Sequence, residues 1–222
     1  MYAAGEKFGD GCWEPAAVQL PSGEVWLVFA NEGPYRVSDG QEITLIRTPD
    51  FGRTWTKPQP ISFRHGHRDG MPVPVVLADG SVAIAIEDDG LTKDRQFKPA
   101  IVRVDGGRRT VEGNDPQRWS AVDAPWRAGV YAGAPYLCRV PGGPVILSCQ
   151  SDEDGKPPRM AVYVGDDEAR HFSGRSMPFP TDAGRAGQWN ALFAKDATTV
   201  TAISSTTVDG RSGVWLIDGT FK

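Results

Sequence analysis

The chain is poor in cysteine, in long apolar runs and in net charge. Three cysteines occur among 222 residues, Cys12, Cys138 and Cys149. That odd number, with no CxxC pair and no Cys/His ligand spacing, points to neither a disulfide framework nor a metal site. Cys138 and Cys149 flank an expected hairpin, on the same face and diagonally offset. With Cys12 they are read as small buried hydrophobes rather than as a bridge. No apolar stretch approaches the roughly 18 residues needed to span a bilayer. Met1-Tyr2-Ala3-Ala4-Gly5-Glu6-Lys7 has no apolar core of a signal peptide. The expected compartment is therefore cytoplasmic, or secreted or periplasmic if an N-terminal segment precedes this one. A net charge of −4 gives no electrostatic footprint for nucleic acid or an anionic membrane, and neither is expected as a partner. Catalytic Ser-His-Asp patterns, phosphate loops and dinucleotide fingerprints are missing too. No segment sustains a 3.6-residue apolar period, so helix content should be low.

What the chain has instead is turn-forming and aromatic residues. It carries 26 Gly and 18 Pro, about a fifth of the residues, with seven Trp, nine Phe and five Tyr. This composition excludes a disordered polymer and fits a turn-rich β protein. It is also repetitive. Glu14-Pro15-Ala16-Ala17-Val18-Gln19-Leu20 runs through a Pro21-Ser22-Gly23-Glu24 turn into Val25-Trp26-Leu27-Val28-Phe29-Ala30. The same order of apolar strand, polar turn and β-branched strand begins again at Met71-Pro72 and at Ala134-Pro135, and more faintly at Trp189-Asn190. Each copy reads as a β-hairpin. Aligned on Pro15, Pro72, Pro135 and Asn190, the copies recur after 57, 63 and 55 residues.

Those intervals leave room for two more strands per unit. Residues 41–48, 97–104, 159–164 and 212–217 fill the third-strand positions, and Trp55 onward begins a fourth. Four-stranded units repeating at about 50 residues are the sequence signature of propeller blades, which a plain β-sandwich would not explain. The expected fold is all-β, one β-propeller domain over 1–222, with blades near 14–62, 71–124, 133–180 and 189–222.

Thr48-Pro49-Asp50-Phe51-Gly52-Arg53-Thr54-Trp55 matches the Asp-box pattern Ser/Thr-x-Asp-x-Gly-x-Thr-Trp. Its physics is that of a tight turn between third and fourth strands: Asp accepts backbone N–H groups, Gly takes positive φ, and Trp packs beneath. The role of Asp50 and Trp55 is scaffolding, and the later blades are read as having lost the box, with an aromatic remnant at Arg118-Trp119. The box orients the blade. Starts of first strands and ends of second strands meet at the rim opposite to it. That rim gathers Trp13, Glu14, Asn31, Glu32, Arg68, Asp69, Glu87, Asp88, Asp89, Tyr131, Gln150, Asp152, Trp189 and Asn190.

The box, together with Gly11-Cys12-Trp13-Glu14-Pro15, Gly66-His67-Arg68-Asp69-Gly70-Met71-Pro72, Ile86-Glu87-Asp88-Asp89-Gly90, Tyr131-Ala132-Gly133-Ala134-Pro135-Tyr136 and Gln188-Trp189-Asn190, resembles the sialidase-type six-bladed propellers. The likeness covers nearly the whole chain. It points to a bacterial branch of BNR-repeat or sialidase-like proteins, with chemistry nearest the exo-arabinanases. The resemblance implies six blades, of which about four are present, so about two should be missing from the N-terminal side. Residues 1–13 would then be the tail of an earlier blade, and the arc would expose a sheet edge at each end.

Glycosidic hydrolysis needs one protonated carboxyl group to donate to the leaving oxygen. A second must attack, or activate water, on the opposite ring face. Glu14 starts an apolar strand and Glu87 ends one in the adjacent blade at the same rim, so the two are the expected catalytic pair. The resemblance to exo-arabinanases, which use two glutamates of neighbouring blades, supports that choice. Asp69 competes for the same roles. Arg68, Tyr131, Trp13, Trp189, Asn190, Glu32 and Gln150 are the expected substrate-binding residues, a guanidinium for sugar hydroxyls or a carboxylate and aromatic faces for C–H patches. No metal or cofactor is expected, the acidic run at 87–89 lacking EF-hand spacing. True sialidases read their substrate's carboxylate with three arginines, one in an Arg-Ile-Pro type motif, and the chain has no such motif. The expected function is an exo-acting glycoside hydrolase, arabinanase-like or sialidase-like, on an oligo- or polysaccharide, monomeric when full length. The alternative is a non-catalytic carbohydrate-binding propeller.

Overall fold

A computed structural model describes residues 11–106 and 109–220. They form fifteen strands and one short 3-10 turn over Gly33–Tyr35. The strands are β1 Cys12–Gln19, β2 Val25–Asn31, β3 Glu42–Thr48 and β4 Gln59–Ser62; β5 Asp69–Val76, β6 Val82–Asp88, β7 Lys98–Val104 and β8 Arg118–Ser120; β9 Ala132–Arg139, β10 Val145–Ser151, β11 Arg159–Val164 and β12 Ser173–Ser176; and β13 Gln188–Ala194, β14 Thr199–Val208 and β15 Arg211–Thr220. Three antiparallel four-stranded sheets and a final three-stranded one follow in chain order, each a meander. Their first strands, β1, β5, β9 and β13, stand side by side in that order, and the sheets do not close into a ring. The expectation for residues 1–13 falls mostly outside the described residues; Cys12 and Trp13 belong to β1 itself.

Each first strand is the edge of its sheet, which is why proline is tolerated there: an edge strand has one row of N–H groups with no ladder to serve. Pro15, Pro72, Pro74 and Pro135 all sit on such strands. Middle strands are buried on both faces because each inner blade is packed between two others. In β6, Val82, Ile84 and Ile86 enter the core shared with blade 1, while Ala83 and Ala85 enter the core shared with blade 3. A strand covered on both sides loses the apolar–polar alternation of a one-sided sheet. The last blade shows the converse. Leu192, Val200, Ala202 and Trp215 pack on blade 3, while Phe193, Val214 and Leu216 remain more than 60% exposed.

The turn after β3 is closed by Asp50, whose Oδ1 accepts the Thr54 N–H at 2.8 Å and whose Oδ2 accepts the Thr54 hydroxyl at 2.6 Å. Gly52 has φ +87°, and the Trp55 indole donates to its carbonyl at 3.1 Å. Blade 3 retains a counterpart of this turn that the sequence pattern hides. After β11, Asp166 Oδ1 accepts the Arg170 N–H four residues on, at 2.8 Å, and that of Glu168 at 3.0 Å. Trp119, expected as a remnant of the box, is instead in β8, stacked under the Arg170 guanidinium at 3.7 Å.

The cysteine geometry also differs from expectation. Among the described residues none of the three cysteines is in a disulfide. Arg139 pairs with Val145 and Cys138 with Ile146, so Cys149 is an odd number of steps from Cys138's partner and points to the opposite face. Cys138 lies in the core between blades 3 and 4, and Cys149 in the core between blades 2 and 3. Cys12 is only partly buried.

Candidate functional site

The four first strands carry the same irregularity at the same place. Register slips between Trp13 and Ala16 in β1 and between Gly70 and Val73 in β5. It slips again opposite Ser148 and Gln150 in β9, and between Gln188 and Ala191 in β13. At each bulge a non-glycine residue adopts a left-handed backbone: Glu14 (φ 45°), Met71 (φ 45°), Ala134 (φ 49°) and Trp189 (φ 53°). These are the residues just before the Pro15, Pro72, Pro135 and Asn190 alignment points. A bulge frees one amide from the ladder and re-aims its side chain. All four residues line one central cavity of about 470 Å³. The sequence repeat thus encodes a repeated strained turn at the mouth of the channel.

Two of the freed amides meet carboxylates of the preceding blade. Ala134 N–H donates to Glu87 Oε2 at 3.0 Å, and the Met71 amide faces the Glu14 carboxylate. Glu87 is opposite Gly70, and a Cβ at Gly70 would come within 3.1 Å of its Cγ and Oε1, so the glycine makes room for the carboxyl group. Burial pushes Glu87 up to about 7, with Glu14 adding to the rise and the Ala134 amide and Arg68 opposing it. Burial also raises Glu14, against the Met71 amide and Arg68. Each glutamate therefore feels Arg68, and Glu87 feels Glu14.

A second cavity, of about 630 Å³, opens beside the first, with Glu14, Glu87, Glu32, Arg68, Trp13 and Phe97 in its walls. Glu14 belongs to both cavities. Arg68 donates to Glu32 at 2.7 Å, and the Trp13 indole donates to the other Glu32 oxygen at 2.8 Å. Glu32 thereby fixes both an aromatic face and a cation at the rim. Trp189, 69% exposed, presents its ring to the central cavity.

Of the remaining expected residues, Asn190 lines the central cavity and Tyr131 stands next to Glu87, whereas Asp69 and Gln150 line neither cavity. Asp69 is fully buried, paired with Arg118 and 2.6 Å from the Ser62 hydroxyl. The reason is strand alternation. Glu87 follows Ala83 and Ala85 toward blade 3, whereas Asp88 and its cross-strand partner Asp69 point toward blade 1. There Arg118 bridges both carboxylates and Arg64 adds a 2.9 Å bond to Asp88. Burial and Asp88 raise Asp69 while Arg118 opposes them. Asn190 is buried as an inter-blade tie, its amide donating to Ala134 O at 2.8 Å and its oxygen accepting from Ser148. Gln150 is buried in β10 opposite Gly133 and lines neither cavity. Tyr131 stands beside Glu87 and covers Gly133, where a Cβ would strike its ring and hydroxyl.

Sequence reasoning missed the amides of Met71 and Ala134 and the space left by Gly70 and Gly133. Backbone donors have no side-chain signature; the alignment of the four repeats was the one signal that marked them. Among the described residues no group of three or more His, Cys, Asp or Glu side chains is placed to hold a metal ion.

No protein-family model matches the chain, and no curated protein does. Solved structures do match in fold. A Hadza microbial sialidase aligns with 14% identity over 94% of this chain and 45% of its own, at a TM-score of 0.68. The α-L-arabinofuranosidase of Fusarium graminearum, solved with an iminosugar inhibitor, aligns with 17% identity over 94% of this chain and 58% of its own, at 0.66. An α-L-arabinanase of Penicillium chrysogenum, solved with arabinobiose, gives 14%, 93% and 62%, at 0.62. The chain is thus similar in fold to propeller glycoside hydrolases and spans about half the length of the solved structures it matches.

Proposed function

We propose that the chain is the site-bearing part of an exo-acting glycoside hydrolase, with Glu14 and Glu87 as its carboxylate pair. The observation that supports this most is the convergence of the two glutamates, from adjacent blades, on one cavity under a shared Arg68. Glu87, held protonated to near neutrality by burial, is suited to give its proton to the leaving glycosidic oxygen. Glu14, more exposed, is suited to attack the anomeric carbon or to take a proton from the attacking water. Arg68 and Trp13, both fixed by Glu32, would hold the terminal sugar. Asp69 is assigned to positioning: its pair with Arg118 anchors the strand ends that carry Glu87. The blades near 14–62, 71–124, 133–180 and 189–222 are read as parts of one propeller domain. A carbohydrate-binding propeller without turnover would need no carboxyl group held at about 7 beside a second carboxylate, which favours the enzyme.

The test is sugar release from arabinan, arabino-oligosaccharides, sialyl-lactose and a general polysaccharide panel. Glu87→Gln and Glu14→Gln should each lower kcat by at least about 100-fold, the scale of one general acid–base group. In the wild type the rate should fall above pH 7 as Glu87 deprotonates, and at acid pH as Glu14 protonates. Release that persists unchanged in either variant would remove that residue from the mechanism.

A further inference from the structure

The rim cavity of about 630 Å³ carries an unbalanced set of charges. Glu14, Glu32, Asp39 and Glu87 stand in its walls, with Arg68 as the one cation among the described residues that line it. Even with Glu87 protonated, these walls are net negative. The basic side chains gathered around Asp88, one residue from Glu87, are committed elsewhere. Arg64 and Arg118 bind Asp88 and Asp69. Lys98, the cross-strand partner of Asp88, donates to the carbonyls of Gln96 and Val130. A carboxylate taken from water into a cavity needs paired charge to offset its lost hydration. In this cavity Glu14, Glu32 and Asp39 would face it, against one guanidinium.

That guanidinium is itself held by Glu32. The acid follows β2 at the head of the 3-10 turn and is buried. Its Oε1 accepts from Arg68 Nη2 at 2.7 Å and its Oε2 from the Trp13 indole at 2.8 Å. The Arg68 backbone is fixed as well, its N–H donating to Asp89 Oδ1 at 2.9 Å. Arg68 is therefore neutralised where it stands, while its other guanidinium N–H groups have no acceptor among the described residues. With its side chain 38% exposed, it offers spare donors that suit hydroxyl oxygens. An ionised sugar would have to displace Glu32 from it and meet the remaining carboxylates unpaired. We propose that the cavity selects a neutral terminal sugar and that Glu32 sets this selection, holding Arg68 as a hydroxyl donor and denying it to a carboxylate. The inference rests on the reading of this cavity as the sugar site; Glu32 acts through Arg68 and is a positioning residue.

The test is the binding of free monosaccharides in pairs that differ by one carboxylate. Galactose is set against galacturonate and glucose against glucuronate, with arabinose and sialic acid as further neutral and anionic probes. Binding is read from the Trp13 indole resonance in ¹H–¹⁵N spectra, identified by its loss in Trp13→Phe. The wild type should bind its best neutral sugar at least about tenfold more tightly than its best anionic one, the scale of one charge in a part-hydrated cavity. Glu32→Gln, which keeps an acceptor for Trp13 and removes the charge, should narrow that ratio by about tenfold. Glu32→Asp keeps the charge and should keep the ratio even where both affinities fall. A wild type that binds an anionic sugar as tightly as a neutral one, a ratio unmoved by Glu32→Gln, or an indole resonance that no sugar shifts would each overturn the proposal. Hydrolysis that depends on Glu87, alongside a ratio indifferent to Glu32, sinks this inference alone. The expected ratios without hydrolysis of any substrate uphold it and sink the catalytic reading.

Discussion

At the scale of single residues, the site depends on how two similar carboxyl groups are made unequal. Glu87 is recessed against blade 3 and opposite Gly70, so little water reaches it; Glu14 is exposed at the head of β1. Desolvation penalises the charged form, and it dominates at Glu87. This has a consequence for stability. Glu87 titrates at about 7 in the fold and near 4.3 in an unfolded chain. Between those values the native state holds a proton that the unfolded state has lost, so stability falls as pH rises through the window. Glu87→Gln, which carries no such penalty, should therefore raise Tm relative to wild type at pH 7–8. The difference should disappear below about pH 4.3, where both states are protonated. Thermal melts of the two proteins across that range give the comparison.

Among the elements, the bulged first strands are the decisive parts. The hairpins and their order were legible in the sequence, because Pro–strand–turn–strand repeats impose themselves on any alignment. That Glu14 and Glu87 share one cavity was legible because each interrupts an apolar strand at a rim position. The fate of Asp69 was not. It is one residue from Gly70 in β5, and whether a side chain faces channel or blade interface turns on strand parity, which a bulge resets. Gln150 is buried in the middle strand β10 and lines neither cavity, and Asp166 was missed because its turn keeps the carboxylate while discarding the Gly and Trp that advertise it. The bulges can be tested directly. Ala134 is buried at φ 49°, where a β-branched side chain is strongly disfavoured. Ala134→Val should cost about 1–3 kcal/mol, whereas Ala134→Gly should stay within about 1 kcal/mol of wild type. Denaturant titration distinguishes them, and equal losses would contradict the role given to the left-handed backbone.

For the molecule as a whole, interior and exposed blades obey one rule with different boundaries. Blades 2 and 3 bury both faces, and the ionic cluster of Arg118, Asp69, Asp88 and Arg64 ties blade 1 to blade 2. Such a cluster holds register through paired charges rather than through net stability, since desolvation offsets most of its Coulombic gain. Blade 4 buries one face and presents Phe193, Val214 and Leu216 on the other. Exposed apolar sheet surface promotes self-association. The double change Phe193→Lys and Leu216→Lys should shift the protein toward monomer in concentration-dependent light scattering, leaving the channel untouched. An unchanged mass distribution would show that this face does not mediate association.

In the proposed site Glu14 and Glu87 act as a coupled pair in one cavity. This coupling is tested most directly by following the Glu87 side-chain carboxyl by ¹³C NMR over a pH titration, in the wild type and in Glu14→Gln. The predicted result is a wild-type midpoint at about 7 that moves to lower pH when the neighbouring charge is removed. A midpoint in the ordinary range near 4.3, or one that ignores Glu14→Gln, would contradict the account.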